Sequence, residues 1–257
     1  MTSTVPLTSI EPRRLYRQIA EQIRGLIASG EYTVGARLPP ERDLAKQLRV
    51  SRPSVREALI ALEVEGLVEV RVGSGIYVHA PHATAAAQSA NGGGHHAGPF
   101  ELIRARRAIE GEVAAIAAKE AKRAQITQIG EALAHMEDDA RNMAQPSDGD
   151  RDARNRRLQP LEADREFHLA VVEATNNGAL VHVVKSLWEE RGGPLFTKLQ
   201  HHFDTPRSWK AAIREHTAVH DAIRDHDPDA ARAAMHHHMD QAARRFSRSW
   251  DDERVTR

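Results

Sequence analysis

The chain has 257 residues, 40% of them hydrophobic, with 36 basic and 36 acidic side chains and no cysteine. That is apolar mass enough for one large core or two ordinary ones, and the missing thiols exclude disulfide scaffolds, thiolate zinc sites and cysteine nucleophiles. The zero formal charge argues against a nucleic-acid coat protein. No run nears the roughly 18 apolar residues of a membrane span and the first residues lack a secretory core, so a cytoplasmic protein is expected.

In chain order, Leu15, Ile19, Ile23, Leu26 and Ile27 recur at helical spacing after Pro12, and Gly30 supplies a stop. A second, short helix is expected from Pro40 to Leu48, with acids in its first turn and Leu44 and Leu48 on one face. After the turn Arg49-Val50, Ser51 is placed to cap a third helix with Pro53 in its first turn and Val55, Leu59 and Leu62 on its buried side. Residues 67–72 and 76–78 flank Gly73-Ser74-Gly75 as a hairpin. Helix, helix, turn, helix, hairpin is a winged helix-turn-helix, expected over residues 1–78.

Residues 79–99, with three consecutive glycines, read as a flexible linker in which His95 and His96 are exposed. Residues 100–250 read as an all-helical bundle: helices over 100–120, 123–143, 161–175, 180–201 with a kink at Gly192-Gly193-Pro194, 207–226 and 229–250. A polar loop is expected at 145–152. The fold class is therefore mainly α, in two domains.

Between Ala36 and Arg56 six basic residues face two acids, a local excess that a solvated helix face explains as readily as a nucleic-acid contact. The helix-turn-helix arrangement favours the second, because Arg52 and Arg56 lie one turn apart at the start of the recognition helix, where either side chain could pair with guanine. Arg42 is placed for a phosphate or base, Ser51 and Ser54 for phosphate oxygens, and Gly73 and Gly75 let the wing backbone approach the minor groove.

There are 15 histidines, most of them in the last ninety or so residues. Leu161, Asp164, His168, Val171 and Thr175 share one helix stripe, His216 shares another with Trp209, Ile213 and Ile223, and His238 a third with Met235 and Ala242. Ionisable groups on core faces need partners. One Asp and three His from three helices would suit a divalent cation, and each histidine alone would equally suit a hydrogen-bonded core position. His220 is a reserve ligand, while His236 and His237 are expected to be exposed. A metal-dependent hydrolase or isomerase fused to a DNA-binding head is the competing class; the apolar neighbours expected around Asp164 and His168, with no second carboxylate, count against it.

Residues 12–78 resemble the DNA-binding domain of the GntR family of bacterial regulators, through RLPPERDLAKQLRVSRPSVREALIALEVEGLVEVRVGSGIYV. The resemblance implies operator contacts by Arg42, Arg52, Arg56 and Gly73, followed by Ser51 and Ser54. Residues 100–250 are similar to the helical FCD effector domain of the FadR-like branch, through Asp164-x3-His168, Glu215-His216 and Met235-x2-His238. This resemblance implies a divalent metal, often zinc, on Asp164, His168, His216 and His238, with positions left for a carboxylate effector. Among Arg104, Arg106 and Arg107, the family's R-x-x-x-E pattern, here Arg106 and Glu110, selects Arg106 for the effector. The resemblance also implies a homodimer on palindromic operator DNA, repression relieved by ligand, and a small organic acid as effector. The segment LEVEGLVEVRVGSGIYV looks nearest to regulators of hexuronate or sugar-acid catabolism.

Overall fold

A computed structural model describes residues 14–71, 73–79, 97–143 and 150–247, with side chains from residue 162 onward in the last stretch. The described residues fall into two compact units, one within residues 1–93 and the other within 94–248.

The first unit contains α1 (Leu15–Ala28), α2 (Glu41–Leu48), α3 (Arg52–Val64), β1 (Val68–Arg71) and β2 (Gly75–Val78). Helix α1 packs Tyr16, Ile19, Ala20 and Ile23 into a core shared with Val55, Ala58, Leu59 and Leu62 of α3. Arg49 ends α2 in the left-handed region at φ 54°, which turns the chain abruptly enough for Ser51 to start α3. The Ser51 hydroxyl accepts from Ser54 N at 3.3 Å, with Pro53 in the first turn, so the expected cap is present. The hairpin pairs Val68 with Val78 and Arg71 with Gly75. One element escapes the periodicity: residues 35–38 lie along the free edge of β2, through Gly35 N to Val78 O, Val78 N to Ala36 O and Leu38 N to Ile76 O. At the tip, Gly75 has φ 123°, a backbone conformation that demands glycine, while a Cβ there would only push the exposed Arg37 guanidinium aside.

The second unit consists of α4 (Pro99–Glu120), α5 (Arg123–Met143), α6 (Asp150–Glu173), α7 (Gly178–Arg191), α8 (Pro194–Phe203), α9 (Pro206–Arg224) and α10 (Pro228–Phe246). Small residues on α4, Ala114, Ala117 and Ala118, are fully buried and let α10 approach closely. Gly111 belongs to the same seam, since a Cβ there would meet the His236 ring at 2.2 Å. The core is completed by Phe167, Val171 and Val172 of α6, Trp188 of α7, Val219 and Ile223 of α9, and Met235 and Met239 of α10.

Several expectations need correction. Helix α6 begins at Asp150, eleven residues before the expected start, and runs through Pro160. The Gly192-Gly193-Pro194 segment ends one helix and starts another instead of kinking a single one, because Pro194 occupies the first turn of α8. The last helix closes at Phe246, and Trp250 lies outside the described residues. The first helix position is a proline in α4, α8, α9 and α10, one residue or more ahead of the apolar pattern in each. His236 is half-buried against Gly111 rather than exposed, while His237 is exposed as expected. The linker at residues 80–96, including His95 and His96, and residues 145–149 of the expected polar loop lie outside the described residues, while residues 150–152 of that loop belong to α6 instead.

Candidate metal centre and DNA-reading surface

In the first unit, Arg42, Ser51 and Arg52 are exposed, Ser54 and Gly73 half-buried, and Gly73 has φ 75° at the tip of the wing. The Ser51 and Ser54 hydroxyls lie 2.8 Å apart at the start of α3. Arg52 keeps a 43% exposed side chain while its Nε donates to Glu41 Oε1 at 2.9 Å. Arg56 departs from the expectation. Its side chain is 1% exposed, and Nε and Nη2 donate to Glu41 Oε2 at 2.8 and 2.5 Å. One turn along α3 rotates Arg56 toward α2, where the buried Glu41 carboxylate meets it. Glu41 thus spans the two helices, holding Arg56 inside and orienting Arg52 at the surface.

In the second unit, Asp164 and His168 on α6, His216 on α9 and His238 on α10 converge, all four buried, with one ligand atom from each lying within 4.8 Å of the others. His216 Nε2 is 3.2 Å from His168 Nε2 and 3.1 Å from Asp164 Oδ1. Each imidazole has an acceptor beside its other nitrogen. His216 Nδ1 donates to Ala212 O at 2.7 Å, and His238 Nδ1 to Glu215 Oε2 at 2.9 Å. His168 Nδ1 lies 2.5 Å from Glu110 Oε2, close enough for its N–H dipole to be drawn to the carboxylate although it is not aligned along a hydrogen bond. With the protons on Nδ1, the Nε2 lone pairs of His168 and His216 face each other and a carboxylate oxygen. Three electron-rich atoms at such separations repel unless a cation lies among them. Ligand atoms about 2.0–2.1 Å from a tetrahedral ion would stand about 3.3 Å apart, so the donor set fits a divalent metal of the zinc kind. Phe167 closes one side, edge-on to His216 at 4.6 Å.

The electrostatics keep these groups ready to bind. Burial alone would raise the Asp164 pKa, but the Arg191 guanidinium and His216 hold it well below the usual carboxylate range. Burial, reinforced by His216, pushes His238 down to about 3. Glu110 is likewise penalised by burial, yet Arg106 and His168 bring it to about 2. At neutral pH the cluster offers the neutral imidazoles of His168 and His238 and the ionised Asp164 carboxylate.

Beside the cluster is a cavity of about 40 Å³ whose lining includes Asp164, His238, Arg106 and Arg191. Arg106 is buried, donates to Glu110 Oε1 at 2.6 Å, and stacks over Trp188 at 4.2 Å. Arg191 covers Trp188 from 4.3 Å and donates to Asp164 Oδ2 at 2.8 Å. Sequence reasoning selected Arg106 but missed Arg191, Asp204, Gln200 and Arg245 in the same wall; the only signal was their helical phase on α7, α8 and α10. The expected absence of a second carboxylate also fails, since Glu110, Glu215 and Asp204 all stand near the cluster. His220 does not join it: it lines a separate cavity of about 460 Å³ with Arg123, Gly130, Arg224 and His226.

Residues 15–78 match the family described as bacterial regulatory proteins, gntR family, and residues 101–241 match the FCD domain. The chain is 37% identical over 236 residues to the Uxu operon transcriptional regulator of Escherichia coli K12, covering 91% of this chain and 87% of that protein. It is 38% identical over 235 residues to the Exu regulon transcriptional regulator of the same organism, covering 90% and 83%. A solved structure of Streptococcus agalactiae GntR aligns with 89% of this chain and 99% of that one, at 24% identity and a TM-score of 0.45.

Proposed function

Because this chain belongs to the gntR family of bacterial regulators, in the branch that carries an FCD domain, we propose that it reads operator DNA through the start of α3 and senses a sugar acid at the buried Asp/His cluster. The protein is a ligand-responsive DNA-binding transcription regulator and not an enzyme. Among its described residues no helix is long and apolar enough to cross a membrane, and it acts in the cytoplasm.

The N-terminal turn of α3 enters the major groove. Arg52 reads a base edge, Arg42 a phosphate or base, and Ser51 and Ser54 donate to phosphate oxygens, while Gly73 lets the wing approach the minor groove. Arg56 supports this surface from behind through Glu41. Two copies in a symmetric dimer read the halves of a palindrome.

In the second unit Asp164, His168, His216 and His238 hold a divalent metal, zinc by its donor set. Bound there, the metal supplies a positive anchor for a carboxylate oxygen. Arg106 and Arg191 orient that carboxylate, and guanidinium groups suit its planar geometry. The Uxu and Exu names of the relatives support a hexuronate or related sugar acid as effector. Effector binding weakens the grip on the operator and relieves repression, and by linkage the operator weakens effector binding by the same factor.

The observation that carries this reading is the convergence of four buried ligand atoms within 4.8 Å, two of their residues, Asp164 and His238, lining a cavity that also has three arginines in its wall. The test is metal content by mass spectrometry for wild type and His216→Ala, alongside operator binding with and without sugar acids. About one metal per chain, lost together with the ligand response in the variant, is the expected result. A metal-free wild type that still responds would move the sensor away from the histidines.

A further inference from the structure

We infer that Arg37 is a further operator contact: its guanidinium, carried along the wing to the tip, grips a phosphate of the DNA strand that borders the minor groove entered at Gly73. This rests on the reading of α3 and the wing as the DNA-reading surface.

Backbone hydrogen bonds make Arg37 part of the wing. Gly35 N donates to Val78 O at 2.9 Å, Val78 N to Ala36 O at 2.9 Å and Leu38 N to Ile76 O at 2.8 Å, so residues 35–38 extend the hairpin by one edge segment. Arg37 stands opposite Tyr77, which pairs in turn with Glu69. Alternation along the segment sends Leu38 into the core, where it is buried with Ile76 and Val78, and leaves Arg37 on the opposite face with Tyr77 and Glu69. From there the side chain runs toward the tip. Its Nε, Nη2 and Cζ are the atoms nearest to the place a Cβ would take on Gly75, two residues and about 7 Å along β2 from Tyr77. The guanidinium therefore emerges beside the Gly73-Ser74-Gly75 turn.

Charge pairing separates Arg37 from the arginines around it. Arg24 is held by Glu65, Arg42 by Asp43, and Arg52 and Arg56 by Glu41. On the wing itself Arg71 donates to Glu69 at 2.7 Å and lies over the Tyr77 ring at 4.7 Å, which takes up the carboxylate of that face. Among the described residues the Arg37 guanidinium has no hydrogen-bond or ion-pair partner, and it is exposed. Arg49 shares that freedom but lies in the turn after α2, not on the wing. With no acid to compete for it, the Arg37 fork is free to take phosphate oxygens, which suit its planar donors. The minor groove is about 6 Å wide with a sugar-phosphate backbone on either side. A wing whose glycine enters that groove brings a side chain lying along its edge against one of those backbones. Such a contact fixes the protein on the duplex and carries no sequence information.

The test is fluorescence-anisotropy titration of the full-length protein at several salt concentrations. The probes are a duplex that the protein itself selects from a random-sequence pool, its single-substituted variants, and a duplex of unrelated sequence. Losing one phosphate contact lowers the slope of log K against log salt by about 0.9, so the advantage of wild type over Arg37→Ala should shrink about threefold between 50 and 200 mM salt. The loss should have the same size on every duplex, Arg37→Lys should restore most of it, and thermal unfolding of the first unit should stay in place. An unchanged salt slope in Arg37→Ala, with Arg52→Ala still weakening binding, overturns the inference alone. So does a loss confined to particular flanking sequences that lysine does not restore, which marks a reader of groove shape, or a loss that comes with a lower unfolding midpoint, which marks a structural role. Binding untouched by both Arg37→Ala and Arg52→Ala overturns the reading of the DNA surface beneath it.

Discussion

Replacing Glu41 by alanine tests how the first unit is held together. Its carboxylate accepts three N–H bonds, one from Arg52 and two from Arg56. The Arg52 side chain is 43% exposed, so that bond contributes at most about 1 kcal/mol. The Arg56 side chain is 1% exposed, and breaking a buried ion pair by removing one partner costs about 3–5 kcal/mol. Against a domain stability of about 5–15 kcal/mol this is a large fraction, and at about 4–8 °C per kcal/mol it lowers the unfolding midpoint by at least about 12 °C. The chain provides its own reporters, since the three tyrosines, Tyr16, Tyr32 and Tyr77, lie in the first unit and, among the described residues, the tryptophans, Trp188 and Trp209, lie in the second. In Glu41→Ala the tyrosine absorbance transition should move and the tryptophan fluorescence transition should stay. A tyrosine transition displaced by less than about 1 kcal/mol would refute the claim that this pair fastens α2 to α3.

Arg52→Ala should weaken operator binding by about 10- to 100-fold, worth about 1–3 kcal/mol of base discrimination, without moving the tyrosine transition by more than about 1 kcal/mol; gel-shift titration on matched and single-substituted operators reads both affinity and relaxed specificity. Gly75→Ala puts a Cβ on a backbone at φ 123°, outside the left-handed region that L residues tolerate, whereas Gly73→Ala meets open space at φ 75°, at the edge of that region. The first should therefore cost more of the tyrosine transition than the second, which pays only about 1–2 kcal/mol of backbone strain. Asp204 has a folded pKa raised to about 7 against an ordinary value of 3.8, so the folded state binds the extra proton between those values. Its contribution to stability is present at low pH and lost as pH rises from about 4 to about 7, at no more than about 1.4 kcal/mol per pH unit. Urea melts of the tryptophan transition should show wild type losing stability across that window relative to Asp204→Asn, and parallel pH profiles would contradict the assignment. Chelation should lower the tryptophan midpoint and leave the tyrosine midpoint in place.

The features legible in the sequence are those that one helix or one turn encodes by itself. Ser51 announces its cap, Gly73 and Gly75 their turn, and Asp164 and His168 their common face, because spacing along a single element decides each. The convergence of His216 and His238 on that face was readable as ionisable residues on otherwise apolar stripes. What stayed hidden depends on pairing between elements. Arg56 looks like a twin of Arg52 until Glu41 from the preceding helix is set beside it. Arg191 on α7 and Asp204, just past the end of α8, acquire meaning only as parts of one wall. The helix expected over 161–175 begins at Asp150 and passes through Pro160, a residue that disfavours a helix interior and so hides the longer span from the sequence.

The two glutamates behind the histidines each serve two masters. Glu110 faces His168 Nδ1 and holds Arg106, and Glu215 accepts from His238 Nδ1 and holds Arg245, so each carboxylate divides its charge between an imidazole and a guanidinium in the cavity wall. A ligand anion that draws either arginine toward itself leaves the glutamate's charge to the ring alone, and the ring becomes a stronger electron donor. A cation held by those rings would then be bound more tightly while the anion is in place.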